Sequence, residues 1–148
     1  MEQINATYKD YLFSSDKNLM QWSFIHSWIS KESYWAMNIP IETVMIAGEN
    51  SYCIGVFDNG SQIGYTRIIT DYATFAYLAD VFIIKEHRAK GLSKYIMELI
   101  MNLDWIKGLR RLMLTTLDAQ ELYNQFGFHP PLYPERIMEI RRDNIYGN

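Results

Sequence analysis

Two short stretches of this 148-residue chain hold residue types whose spacing could do chemistry. The first is KEHRAKGLSKY, residues 85–95, which sets Arg88, Lys90 and Gly91 between the apolar run LADVFII and the helical-looking KYIMELIMNL. A helix N-terminus leaves its first backbone N–H groups without intrahelical partners and carries about half a positive charge. A short glycine-containing turn ahead of it lets those groups close around a phosphate, with Arg88 and Lys90 adding charge. The alternative is a glycine that eases a turn beside solvated cations, and one glycine does not decide between the two. The stretch is not a GxxxxGK[ST] loop, which removes the usual case for a nucleotide triphosphatase. The second stretch is LYNQFGF, residues 122–128. A tyrosine on a short helix after a strand–helix unit lies near the carboxyl ends of the strands, so Tyr123 could hand a proton to a leaving group of matched acidity. Its alternative is a core tyrosine with a satisfied hydroxyl.

The elements that must position these residues follow from periodicity. Residues 8–13 read as a first strand, and Ser15 or Asp16 can cap a helix over residues 17–30, where Leu19, Trp22, Ile25, Trp28 and Ile29 share one face. A second helical fragment spans residues 32–37 and stops ahead of Pro40. Residues 52–58 and 62–70 form a hairpin around Asn59-Gly60, whose types suit the positive φ of a tight turn. Residues 75–84 make a third, nearly uncharged strand interrupted by Asp80, the composition of a strand covered on both faces. A helix over residues 92–104 turns Ile96, Leu99, Ile100 and Leu103 to the core. A strand over 110–116, a short helix over 119–126 stopped at Gly127, and a last strand over 137–141 complete the chain. This order predicts an α/β (α+β) fold with a mixed sheet and helices on both sides.

Composition narrows the classes. Hydrophobic residues at 49% and charged residues at 21% fit a folded domain, and the length fits one domain over residues 1–148. A net charge of −3 gives no long-range attraction to phosphate backbones, so no nucleic-acid partner is expected. One cysteine, Cys53, excludes an internal disulfide and suits a reducing compartment. Three scattered histidines make no metal-ligand spacing. The N-terminus has no signal-peptide pattern and no run reaches the ~20 apolar residues of a membrane span, so a cytoplasmic protein without a membrane partner is expected.

Taken together, the order strand, R-x-x-G-x-(small), helix, strand, short helix with Y-x-x-x-G-F resembles the GNAT superfamily of acyl-CoA-dependent N-acetyltransferases. The resemblance covers residues 51–128 well and the rest by element order. It implies a mostly antiparallel twisted sheet of about six to seven strands, with acetyl-CoA as co-substrate and no metal. It also implies that the loop Arg88-Ala89-Lys90-Gly91-Leu92-Ser93 wraps the cofactor's pyrophosphate, with Ser93 in place of the usual Gly or Ala. The backbone of Phe82, Ile83 and Ile84 would pair with the pantetheine arm as an added strand, and Thr116 holds the place of a cofactor-contacting Asn. Tyr123 would protonate the departing thiolate.

Such a transfer needs a neutral amine near the thioester and a path for its proton. Asp80 is the first candidate base, a charge on an apolar strand that otherwise pairs with a cation or marks a bulge. By the same resemblance the acceptor pocket draws on Tyr34, Trp35, Arg67, Tyr72 and Tyr77. The Arg67 guanidinium could fork onto a carboxylate or face solvent. The expected acceptor is a small primary amine, amino-acid-like if Arg67 reads an acid group. The alternatives are a non-catalytic acyl-CoA-binding module and a protein or peptide N-acetyltransferase. Dimerisation near the C-terminal strand, common in the family, is the remaining expectation.

Overall fold

A computed structural model of the chain describes residues 1–147. Its sheet contains six strands in sequential order: β1 (Asn5–Tyr8), β2 (Tyr11–Ser14), β3 (Tyr52–Asp58), β4 (Ser61–Thr70), β5 (Phe75–Ile83) and β6 (Arg111–Met113). Every neighbour pair is antiparallel except β5 and β6. The helices are α1 (Trp22–Glu32), α2 (Ile41–Glu49), α3 (Leu92–Asn102), α4 (Asp104–Lys107) and α5 (Gln120–Asn124). The two faces of the sheet carry separate apolar clusters. One packs Ile96, Met97 and Ile100 of α3 on Ile54, Val56 and Ile68, and the other packs Ile25, Ile29 and Val44 of α1 and α2 on Tyr65 and Phe82. The expected mixed sheet with helices on both sides is therefore the observed one.

Local chemistry explains where the elements depart from sequence expectation. Residues 8–13 are not one strand but the heart of a hairpin, because Lys9 and Asp10 adopt φ of 49° and 66° and make a two-residue turn. The helix expected over 17–30 is split. Asp16 caps a short 3-10 turn at Lys17–Leu19, and α1 starts later, after Gln21 has exchanged bonds with Gln62 of β4 at 2.8 and 3.1 Å. Residues 32–37 do not form the second helix. Ser33 ends α1 by donating to the Ile29 carbonyl at 2.6 Å, and the helix forms instead after Pro40, which sits at its N-cap, where a missing N–H costs no helix bond. Gly48 lets α2 approach α1, since a Cβ there would lie 2.3 Å from the Trp22 ring. Strand β6 is only three residues long, and residues 137–141, expected as a last strand, lie outside the sheet with Met138 and Ile140 exposed.

Strand β5 carries the feature that shapes the site. Tyr65 pairs with Phe82 and Arg67 with Ala79, so Thr66 alone faces both Asp80 and Val81. This is a β-bulge, and Asp80 occupies it with φ of 54°. Bulges bend the strand that holds them. Beyond Tyr77 no residue of β5 pairs with β6, whose register ends at Tyr77 and Met113.

Candidate active site

The parting of β5 from β6 leaves the edge of β5 from Leu78 to Ile83 without a strand neighbour, and this edge leads into the 85–91 loop. The loop makes one 3-10 turn at Lys85–His87 and then reverses through two left-handed residues, Ala89 (φ 61°) and Gly91 (φ 77°). Gly91 is the N-cap of α3 and offers no side-chain cap, so the first N–H groups of α3 point out of the helix unbonded. A Cβ on Gly91 would meet only the Tyr8 hydroxyl, at 3.5 Å. Backbone N–H groups converging from left-handed turns onto a helix N-terminus make an anion cradle. An open strand edge that ends in such a cradle fits an extended amide-bearing arm with a pyrophosphate at its far end.

The cations of the loop are not simply solvated. Arg88 Nε donates to the Ile83 carbonyl at 2.9 Å, which fixes the side chain against the end of β5 and uses one lone pair of a carbonyl expected for the pantetheine arm. Lys90 Nζ donates to Tyr11 Oη at 3.1 Å. Thr116 is occupied differently from expectation. Its hydroxyl accepts from Ala119 N at 3.0 Å and so helps to start α5, although it can still donate.

Tyr123 is buried on α5, with its ring against Phe128. Its hydroxyl has no hydrogen-bond partner among the described residues. Burial, with the Tyr34 phenol as a lesser cause, pushes its pKa up to about 12. A core tyrosine normally satisfies its hydroxyl. Tyr123 instead leaves its hydroxyl without a protein acceptor among the described residues, at a place solvent still reaches.

The acceptor side assembles partly as expected. Asp80 Oδ2 accepts from Arg67 Nε at 2.6 Å and Asp80 Oδ1 from Trp35 Nε1 at 2.8 Å. Both alternatives for Asp80 thus hold: it marks a bulge and it pairs a cation. The same pair sets the place of Arg67. Arg67 does not simply face solvent: Nε serves Asp80 and Nη1 reaches Ser51 Oγ at 3.3 Å, which leaves Nη2 as the donor without a partner among the described residues. Trp35 and Tyr34 form an edge-to-face pair, and Trp35 lies against Trp28 of α1, which stacks on Phe82 with centroids 3.9 Å apart. Trp28 was legible only as one residue of a helical face. Tyr34 Oη accepts from Leu117 N at 3.2 Å and so spans from the α1–α2 connection to the segment after β6. Tyr77 donates to Thr115 Oγ1 at 2.8 Å where the two strands begin to part. Tyr72 does not join this group. Its φ of 61° turns it toward α4, where it packs on Trp105 with centroids 5.0 Å apart.

An open cavity of about 820 Å³ lies elsewhere, on the outer side of β6 beneath the C-terminal segment, lined by Leu112, Leu114, Phe126, Phe128 and Tyr133. No β5 residue lines it, so it is not the gap between the strands, although Tyr123 and Thr116 reach its wall. Among the described residues no group of His, Cys, Asp and Glu could hold a metal ion, and no helix is long and apolar enough to cross a membrane.

Burial also raises the pKa of the Tyr52 and Tyr65 phenols and the Cys53 thiol. The unfolded chain would lose these protons near the ordinary values of about 8.5 for Cys and 10 for Tyr, while the folded chain holds them longer. Their stability contribution is complete below those values and is lost as pH climbs through the folded ones. The denaturant midpoint should therefore fall steeply between about pH 9 and 12. A midpoint constant across that range would contradict the buried phenols.

Comparison with known proteins agrees with the geometry. Residues 10–128 match the Acetyltransferase (GNAT) family. A candidate acetyltransferase of Gibberella zeae, FG08082, is 32% identical over 141 residues, covering 82% of this chain and 80% of its own. The crystal structure of a candidate GNAT-family acetyltransferase from Xanthomonas campestris pv. campestris superposes with a TM-score of 0.92 at 41% identity, covering 96% of this chain and 100% of that one. Diaminobutyrate acetyltransferase EctA from Paenibacillus lautus, solved with L-2,4-diaminobutyric acid and coenzyme A, shares the fold at a TM-score of 0.62 and 13% identity, covering 78% and 74% of the two chains. With a parted β5–β6 pair, a left-handed glycine cradle at α3 and a family match over residues 10–128, this chain belongs to the acetyltransferase (GNAT) family and is an acyltransferase.

Proposed function

We propose that the chain transfers the acetyl group of acetyl-CoA to the primary amine of a small molecule, with an amino acid or a compound like one as the acceptor class. The observation that carries this reading is the free edge of β5 running from Leu78 to the Gly91 cradle, with the unpartnered Tyr123 hydroxyl as a proton donor. Acetyl-CoA when bound supplies a thioester whose C–S bond breaks as the amine nitrogen bonds to the acetyl carbon. Phe82 and Ile83 would hold the pantetheine arm by backbone bonds and residues 88–93 the pyrophosphate, whereas Ile84 is already paired, its N–H donating to the Ile63 carbonyl at 2.9 Å and its carbonyl accepting from His87 N at 3.0 Å. Tyr123 would stabilise the sulfur as its negative charge develops.

On the acceptor side Asp80 offers the remaining lone pairs of a carboxylate that has about four, two of them taken by Arg67 and Trp35. Those lone pairs can orient an amine or a water that removes its proton. Trp28, Tyr34 and Trp35 give aromatic walls that favour a compact cation or apolar stem. The diamino acid bound by the Paenibacillus enzyme is an acceptor of this class on the same fold. The reading takes a second copy of this chain as the partner of the outer edge of β6, beside the exposed Met138 and Ile140. It assigns the protein to the cytoplasm, in keeping with the free thiol of Cys53.

The test is a calorimetric titration with acetyl-CoA followed by a thiol-release assay over a panel of primary amines that includes amino acids, diamino acids and short peptides. Saturable binding with thiol release on a free amine is expected. Binding without release on any amine would indicate a module that holds acyl-CoA without using it. Release only with peptides would move the acceptor to protein N-termini or lysines.

A further inference from the structure

The β1–β2 hairpin precedes the phosphate loop by about eighty residues and supplies nothing to the acceptor side, yet its turn is bonded to that loop several times over. Lys9 Nζ donates to the Lys90 carbonyl at 3.0 Å. Lys90 Nζ donates to Tyr11 Oη at 3.1 Å, and Tyr11 Oη lies 2.7 Å from His87 Nδ1. The Tyr8 ring stacks on Tyr95 of α3 with centroids 4.4 Å apart, which sets its hydroxyl beside Gly91. Tyr11 is only 6% exposed, so its hydroxyl is a fixed point rather than a surface group.

An ammonium only donates, so Tyr11 Oη accepts from Lys90, and the same oxygen shares a 2.7 Å hydrogen bond with His87 Nδ1. One buried phenol thus fixes residues on both sides of the left-handed Ala89, a conformation that a non-glycine residue keeps only when its surroundings enforce it. The hairpin turn is itself made of two left-handed non-glycine residues, and it places Lys9 on the loop.

We infer that the β1–β2 hairpin is a clasp that holds the 88–91 loop in its anion-binding shape, with Tyr11 as the positioning residue through which it acts. The inference rests on the acetyl-CoA reading above. A loop ordered before the ligand arrives spares binding the cost of ordering it. Loss of a bond to a charged group would then weaken the grip on pyrophosphate and leave the chemistry alone.

The test compares two ligands by calorimetry, coenzyme A and pantetheine, which lacks the pyrophosphate and nucleotide, and two acyl donors by kinetics, acetyl-CoA and acetylpantetheine. Tyr11→Phe should weaken coenzyme A binding about tenfold, the worth of one hydrogen bond to a charged group, with pantetheine binding and kcat at saturating acetyl-CoA unchanged. His87→Leu, which removes the hydrogen-bond partner of the phenol from a half-buried site, should shift coenzyme A in the same direction and leave pantetheine alone. Equal losses for both ligands in both variants, or wild-type affinity for both, would overturn the clasp. A wild-type protein that binds coenzyme A no better than pantetheine would overturn both the clasp and the assignment of the loop to the pyrophosphate. That outcome is visible before any variant is made.

Discussion

Tyr123→Phe should lower kcat by about 10²- to 10³-fold and leave the Kd for acetyl-CoA within about twofold, as removal of a positioned proton donor does. The phenyl ring keeps its packing against Phe128. The lost hydroxyl has no protein partner among the described residues and still meets solvent, so its removal costs no internal hydrogen bond and stability should hold. That combination separates a functional tyrosine from a structural one, whose loss would lower stability first. The raised pKa, about 12, also defines how the group acts. A thiolate of ordinary acidity near 8.5 is a weaker base than this phenolate, so full transfer between them would be uphill by roughly 5 kcal/mol. Tyr123 therefore donates a strengthening hydrogen bond as the sulfur gains charge, and complete transfer waits on the proton released by the amine. The kcat profile of the wild type should accordingly show no alkaline limb from this residue below about pH 11. Wild-type turnover in the Phe variant would remove Tyr123 from the mechanism.

Sequence and structure agree best where a single local rule governs. The Asn59-Gly60 hairpin, β5 and α3 were legible because turn type, a nearly unbroken apolar run and a helical period each leave few alternatives. Gly91 ahead of a helix and Tyr123 on a short helix were legible as placements, and the structure puts Gly91 at the N-cap of α3 and Tyr123 on α5. The turn at Lys9-Asp10 was hidden because neither residue is glycine, and the left-handed pair is imposed by the strands it joins and the loop it touches. Helix α2 was missed because Pro40 reads equally as the end of one helix and the start of another. Asp80 shows a different limit. Its types-level anomaly, a charge on an apolar strand, was visible, yet its two partners come from β4 and from the α1–α2 connection, and no local pattern brings Arg67 and Trp35 together. Tyr72 was misplaced for the same reason: a positive φ, invisible in the residue type, sends it to α4.

Gly91→Glu should abolish measurable acetyl-CoA binding, raising Kd at least 100-fold by calorimetry, while the protein remains folded. Two effects add. At φ of 77° a side chain costs about 1–2 kcal/mol, which would lower Tm by only a few degrees in a chain of this size. Folding survives because the new Cβ meets nothing closer than the Tyr8 hydroxyl at 3.5 Å. Binding does not, since a carboxylate some 4 Å from a phosphate oxygen at a partly screened site opposes it by about 4 kcal/mol, well beyond the hundredfold threshold. Gly91→Ala supplies the control. It carries the same backbone strain without the charge, so it should retain binding within about tenfold, and the gap between the two variants measures the anion at the cradle rather than the turn. If the Glu variant bound acetyl-CoA as the wild type does, the N-terminus of α3 would not be the phosphate site, and the cations of the 85–91 loop would return to being a solvated turn.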